Sequence, residues 1–422
     1  LHRSEHPARQ HLAPALASSA GSTASSQRFA YLLHRRDAVL ANPAGSALGH
    51  RNAVNAGHDT GDAFVIVSEL DVATSSRRAA QGEVLLAGDA AALDACDVGP
   101  DDELTALQAA VDLACRRGAT RIGLSPTAAR VSNGGLDLRR DDCLISAGTA
   151  LTAAGVVGVL DSTLARLSRR WSSQSAAVLG ASTAQGRVIA ALLAERAARL
   201  LLIGDTPIGR VRGRQALLAV AAQACCHLIA GNGTGPLAAH VRGLLGHSVE
   251  LEPLAMMPVA ERLVQTGFIV LSTDRQRFGE ADVGVIASAT GSDLQSDQLR
   301  PASVLCDLDT PRGLPRRLAD ERPDVLIVDP ASYETIPEHA PPGLLGSRGL
   351  PAALVETMLL AATQDSRQVG LDDGIAMDEV GSMSTLAARH GFRLAPISSY
   401  GVRISEKRWA SQRRLRAFPV IR

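Results

Sequence analysis

Lysine is almost missing from this chain. Of the 43 basic residues among 422, 42 are arginine, and Lys407 is the single lysine. A phosphate loop of the G-x-x-x-x-G-K-[ST] type is therefore excluded. So is a Tyr-x-x-x-Lys dyad, because the residues four after Tyr31, Tyr333 and Tyr400 are Arg35, Pro337 and Ile404. Schiff-base chemistry has only Lys407 to use. Aromatic residues make up 3%, too few for stacking on single-stranded nucleic acid. A net charge of zero leaves no electrostatic footprint for a polyanion, so no nucleic-acid partner is expected. The six cysteines (Cys96, Cys115, Cys143, Cys225, Cys226, Cys306) form no C-x-x-C and no Cys/His ligand spacing. No metal site is expected from them, and in apolar segments they read as reduced core residues of a cytoplasmic protein. A transmembrane segment is also lacking. Residues 143–160 are uncharged, but Ser146, Gly148, Thr149, Thr152, Gly155 and Gly158 interrupt them. That pattern suits a buried helix with a polar entrance better than a membrane span.

What is present is an ordinary globular composition, 46% hydrophobic and 20% charged. The length suggests about two or three domains. Residues 1–27 are rich in Ala, Ser, Pro and His without periodicity, and read as a disordered tail rather than a signal peptide. Residues 28–160 mix strand-like runs (63–70, 83–87, 121–124) with a helix at 103–117, whose Leu104, Leu107, Val111 and Ala114 recur at helical spacing. They form an N-terminal α/β substrate-side domain. Residues 161–345 alternate strand and helix, with strands expected at 176–179, 200–203, 268–271, 282–287, 303–308 and 325–328. Such alternation predicts a Rossmann-type parallel sheet, which collects its ligand at the C-terminal ends of its strands. Residues 346–400 are C-terminal helices, expected at 351–362 and 378–390, that pack back over the cleft. Residues 401–422 are a basic tail, with seven Lys or Arg against Glu406. That tail is expected to be a solvated helix, suited to peripheral contact with an acidic carrier or anionic head groups. The predicted class is α/β.

Gly180-Ala181-Ser182-Thr183-Ala184-Gln185-Gly186 lies between a predicted strand and a predicted helix. A dinucleotide's pyrophosphate sits at such a helix N-terminus, where N–H groups and the helix dipole favour anions; a tight βα turn that binds no phosphate is the alternative. Asp205 falls 25 residues after Gly180, where an acidic residue bonds the ribose hydroxyls of NAD; a helix-cap or turn aspartate before Pro207 is the alternative. The expected cofactor is therefore NAD(P)H, with a lean toward NAD(H). Arg210, Arg212 and Arg214 follow closely enough to take a 2′-phosphate. Ala287 and Ser288 end a later strand, where small residues let the nicotinamide side pack close. Thr149 and Thr152 open the buried helix and are candidates to polarise a carbonyl; capping or back-bonding is the alternative. Glu356 is the one charge on an apolar helix and a candidate acid, with an edge position reaching water as the alternative. His227 and His390 read as structural.

The order of these features resembles the cyanobacterial-type long-chain acyl-[acyl-carrier-protein] reductases, over roughly residues 63–396. The shared pieces are Gly148-Thr149-Ala150-Leu151-Thr152, the 180–186 loop, Ile286-Ala287-Ser288, Val304-Leu305-Cys306-Asp307 with Pro311, Glu356-Thr357-Met358-Leu359-Leu360, and Arg389-His390-Gly391-Phe392. The resemblance implies an NADPH-using reduction of an acyl thioester to an aldehyde, and adds Pro311 to the cofactor side. Four positions depart from it. The family's acyl-accepting cysteine is Ala353 here, its middle glycine is Thr183, a basic residue after the second strand is Asp205, and a lysine near Pro311 is Arg312. An acyl-enzyme at residue 353 is thereby excluded.

The sequence thus points to a cytoplasmic NAD(P)-dependent oxidoreductase. It would reduce a carbonyl or thioester by direct hydride transfer, on a small molecule or a carrier-bound acyl chain. One alternative is a dehydrogenase or imine reductase of a small metabolite, similar to shikimate dehydrogenases, although their Lys-Asp pair has no counterpart. The other is a non-catalytic nucleotide-binding partner. Oligomeric state is not legible in the sequence.

Overall fold

The computed structural model describes residues 27–34, 37, 64–73, 79–87, 100–138, 140, 142–204, 210–231, 233–245, 252–287, 294–308, 313–334, 349–364 and 377–417. Two sheets organise them.

The first sheet contains β1 (Gln27–His34), β2 (Phe64–Ala73), β3 (Ala79–Ala87), β4 (Arg121–Leu124) and β5 (Leu144–Ser146), in the order β2-β3-β1-β4-β5. β2 runs antiparallel to β3, and the other neighbours are parallel. The two-residue period of a strand sends alternate side chains to opposite faces. Ala30, Leu32, Leu85, Ile122 and Leu124 meet Leu107, Val111 and Ala114 of α1 (Pro100–Arg116) and Ala128 of α2 (Pro126–Val131). Phe29, Tyr31 and Val84 point the other way, into the main core.

α3 (Thr149–Arg166) lies between the two sheets. Leu151, Val156, Val157, Val159, Leu160 and Leu164 are all buried, so the helix is apolar around most of its circumference. A helix of that kind belongs inside a core rather than on a surface. It touches α4 (Ala184–Ala194) on one side, and α9 (Ala352–Thr363) and α10 (Met377–Arg389) on the other. The position between residues 160 and 161 falls within this helix.

The second sheet contains β6 (Ser175–Leu179), β7 (Arg199–Ile203), β8 (Ile269–Ser272), β9 (Val283–Ile286), β10 (Val304–Asp307) and β11 (Leu326–Val328), all parallel. Most of these short aliphatic runs are buried on both faces, as parallel strands are, while the edge strand β8 is only partly covered. Their order, β11-β10-β9-β6-β7-β8, is 6-5-4-1-2-3 when β6 is counted as the first. This is the doubly wound order of dinucleotide-binding domains. The helices α5 (Arg210–Ala230), α6 (Pro236–Leu244), α7 (Met257–Gln265) and α8 (Arg316–Glu321) complete this part. His227, expected in the core, pairs with Glu195 at 2.8 Å, and that contact holds the Glu195 carboxyl below its ordinary range.

Short strands β12 (Ser332–Glu334), β13 (Leu350–Pro351) and β14 (Arg393–Leu394) form a small antiparallel sheet, and β15 (Ser398–Ser399) pairs with β16 (Val402–Arg403). The chain ends, among the described residues, in α11 (Glu406–Ala417). The expected solvated tail is instead docked along one face. Trp409 is 1% exposed, Arg166 stacks on its ring, and Gln412 donates to the Pro323 carbonyl at 2.8 Å. Arg403, Lys407, Arg413 and Arg414 remain exposed. No helix among the described residues is long and apolar enough to cross a membrane.

Candidate cofactor and substrate site

In the second sheet the chain moves outward from β6 through β7 to β8, then crosses back to β9 on the other side of β6. The C-terminal ends of β6 and β9 therefore flank the switch point, where such sheets bind their ligand in a crevice. The 180–186 loop starts there. Gly180 has φ +80°, a backbone region open chiefly to glycine. A Cβ on Gly186 would stand 2.1 Å from the Gly180 carbonyl oxygen, so glycine lets α4 begin against the end of β6. Thr183 is the N-cap of α4, and its hydroxyl accepts the Gly186 N–H at 3.0 Å. The same hydroxyl lies 2.9 Å from the Gly180 oxygen and 3.0 Å from the Ala287 oxygen, and shares its proton between them. The threonine in the middle-glycine place therefore ties the loop to the end of β9.

This arrangement fits a pyrophosphate. The first-turn N–H groups of α4 open into the crevice, where the helix dipole favours an anion. Arg187 adds a positive charge one turn in, and its guanidinium donates to the Ser182 carbonyl at 3.1 Å. Gly180, Ser182, Thr183, Gly186 and Ala287 are thus brought together. Arg212 and Arg214 are near the start of α5, on the connection that leaves β7. Asp205, Ser288, Pro311 and Arg312 lie outside the described residues. Asp307, ending β10, is structural, since it accepts the Leu314 N–H at 2.7 Å and is 1% exposed.

A second polar group forms where β5 runs into α3. Glu356 is fully buried. One of its carboxylate oxygens accepts the Ser146 hydroxyl at 2.8 Å, and the other accepts the Leu151 N–H at 2.7 Å. Gly148, the N-cap of α3, has no side chain to serve the helix end, so the carboxylate from α9 caps it instead. Burial pushes the Glu356 carboxyl from 4.5 up to about 7, against those two hydrogen bonds. The alternative of an edge residue reaching water is thereby removed. With both oxygens engaged and no exposure, Glu356 is a positioning residue for the first turn of α3 rather than an acid open to a ligand.

Thr152 donates its hydroxyl to the Gly148 carbonyl at 2.7 Å, so it is back-bonded instead of presented. Thr149 sits at the start of α3 and is 7% exposed. Ala353 packs on Gly148, which has φ +67°, and a Cβ on Gly148 would stand 2.2 Å from the Ala353 Cβ. Residue 353, where the reductases that the sequence resembles carry a cysteine, is therefore beside the polar entrance of α3. Two members of this group escaped the sequence reading. Ser146 is one. The other is Tyr333, whose hydroxyl lies 3.4 Å from the Leu151 oxygen and is raised above its ordinary range by burial and by the charge of Glu356.

Further polar groups line the same C-terminal edge of the first sheet. Asp37 accepts the Thr127 hydroxyl at 2.6 Å and the Thr127 N–H at 3.2 Å. Burial raises its carboxyl against the bonds from Ser125 and Thr127. The Ser125 hydroxyl accepts the His34 N–H at 3.0 Å.

No protein-family model matches the chain. Over 173 residues, 40% of its length, it is 27% identical to the aminotransferase PigE of Serratia sp. (strain ATCC 39006). The match spans only 20% of that relative's length. Among solved structures, the shikimate 5-dehydrogenase of Thermus thermophilus, in complex with NADP(H) and shikimate, aligns at a TM-score of 0.35 and 14% identity. That alignment covers 85% of this chain and 99% of the dehydrogenase. The shikimate 5-dehydrogenase of Listeria monocytogenes, with shikimate and NAD, aligns at 0.32 and 10% identity, covering 86% and 97%. The architecture described above rests on the strand order of this chain itself.

Proposed function

We propose that the chain is a nicotinamide-dinucleotide-dependent reductase of a carbonyl or acyl thioester. The observation that carries the reading is the glycine loop, with Gly180 at φ +80° and α4 capped by Thr183, placed at the switch point of a doubly wound sheet. NAD(P)H would supply the hydride. The first turn of α4 and Arg187 would hold its pyrophosphate, and Ala287 would border the nicotinamide side. Arg212 and Arg214 would read a 2′-phosphate, opposite in sense to Asp205, which would favour free ribose hydroxyls.

The substrate would lie toward the start of α3, beside Ala353. Thr149 is the hydroxyl there that would polarise the carbonyl oxygen. Glu356 and Ser146 hold that turn. With alanine at 353 the hydride adds directly to the carbonyl carbon. From a thioester the products are an aldehyde and a thiol, which takes up the proton. The relative's name is that of an aminotransferase, a class whose acceptors are carbonyl compounds, so an aldehyde product suits that company. Transamination itself does not transfer to this chain, whose single lysine, Lys407, is exposed on α11.

The test is a substrate screen that follows oxidation of NADH or NADPH together with thiol release. An acyl thioester is expected to yield one thiol per dinucleotide in the first turnover, with no label retained at residue 353. A protein that binds the dinucleotide but oxidises it with neither thioesters nor carbonyls contradicts the catalytic reading.

A further inference from the structure

The sequence spacing argues against a metal site, yet the fold brings two distant cysteines together. Cys115 is in the last turn of α1 and Cys143 immediately precedes β5. Cys115 Sγ, Cys143 Sγ and a carboxylate oxygen of Asp142 all lie within 4.8 Å of one another. Four-coordinate zinc, with bonds of about 2.3 Å to sulfur and about 2.0–2.2 Å to oxygen, sets its ligands roughly 3.5–3.8 Å apart. Separations of at most 4.8 Å exceed those edges by no more than about 1 Å, so small movements of the side chains would close the shell.

The surroundings match a metal-binding carboxylate rather than a chance contact. The Arg140 guanidinium grips Asp142 with two donors, at 2.7 and 2.6 Å, and reaches Asp112 of α1 at 2.9 Å. Ligating carboxylates are commonly oriented by such outer partners. Each carboxylate oxygen keeps a lone pair for a second partner. Cys143 is buried, Cys115 is half-buried and the Asp142 side chain is 57% exposed. A cation thus has a path in from solvent, and a fourth position is open to water. Two sulfurs and one oxygen select a thiophilic divalent ion over a hard one such as Mg2+ or Ca2+.

We infer that Cys115, Cys143 and Asp142 form a binding site for a thiophilic divalent cation of the Zn2+ class, which staples the end of α1 to the edge strand β5. The site lies at the opposite end of β5 from Ser146, a three-residue strand of about 10 Å. It is separate from the cofactor crevice and serves the framework that carries the start of α3.

The full chain, purified metal-free under a phosphine reductant, is titrated with Cd2+ and then with Zn2+ in competition. The expected result is one Cd2+ per chain, with a thiolate-to-metal charge-transfer absorption that Zn2+ displaces, and a Tm that rises with Zn2+ concentration. Cys115→Ser abolishes the absorption. Asp142→Asn, at an exposed side chain, keeps the native circular dichroism and weakens binding at least about tenfold. Cys226→Ser changes neither. Absence of the absorption in the wild-type chain, its survival in Cys115→Ser, or unchanged affinity in Asp142→Asn overturns the site.

Discussion

Glu356 shows how far a single residue can be read. One charge on an otherwise apolar helix left two readings, a buried acid and an edge residue reaching water, and the structure shows the buried one. Its partners could not be foretold, because Ser146 and Leu151 are 210 and 205 residues away and only the packing of α9 on the first sheet brings them together. The same packing decides Thr152, whose hydroxyl turns to its own helix. The pH dependence follows from the carboxyl's shift. A group raised from 4.5 when unfolded to about 7 when folded favours the folded chain fully below pH 4.5, and loses that contribution as pH rises to 7. At about 1.4 kcal/mol per unit, the loss amounts to roughly 3 kcal/mol. The difference in unfolding free energy between wild type and Glu356→Gln, measured by urea titration, should change by that order between pH 5 and 7. An invariant difference would show that the α3 N-terminus holds the carboxylate ionised throughout.

At the scale of the element, the strands of the second sheet were legible because each is a short aliphatic run closed by glycine or polar residues. The structure shifts their ends by one residue or so. β1 was not legible as the centre of the first sheet. Its Gln-Arg start continues a polar stretch, and its pairing with β3 and β4 is non-local. α11 was misjudged because its charges outnumber the one aromatic side chain that docks it. The loop before α4 was legible as a motif, but the work of Thr183 was not, since the Ala287 carbonyl reaches it from 104 residues away. Gly186→Ala should destabilise the chain by about 1–3 kcal/mol, because its Cβ meets backbone that cannot move aside. Thermal or urea unfolding measures this. A neutral substitution would mean that α4 does not start as closely on β6 as described.

For the whole molecule, alternation of strand and helix was enough to give a parallel α/β class, and the observed order of the second sheet completes it. What alternation could not give is the shared interior. α9 returns from late in the chain to cover the first sheet, and α3 packs on α9 and on β10 of the second, so one apolar cluster runs from Phe29 through Leu151 to Val178 and Leu359. Such long-range closure leaves no local pattern beyond helices that are apolar on every side. It also places the start of α3, Thr149 and the Ala353 position in the same interior framework that carries the glycine loop.

The central claim is that this framework binds a nicotinamide dinucleotide at the 180–186 loop. Calorimetric titration of the wild-type chain and of Ser182→Asp with NADH and NADPH tests it most directly. Ser182 is half-buried at the loop, and an aspartate there sets a negative charge against the pyrophosphate without entering the core. Saturable binding of at least one dinucleotide to the wild type is expected, weakened at least about tenfold in the variant. Binding of neither dinucleotide at millimolar concentration, or equal binding by both proteins, would contradict it.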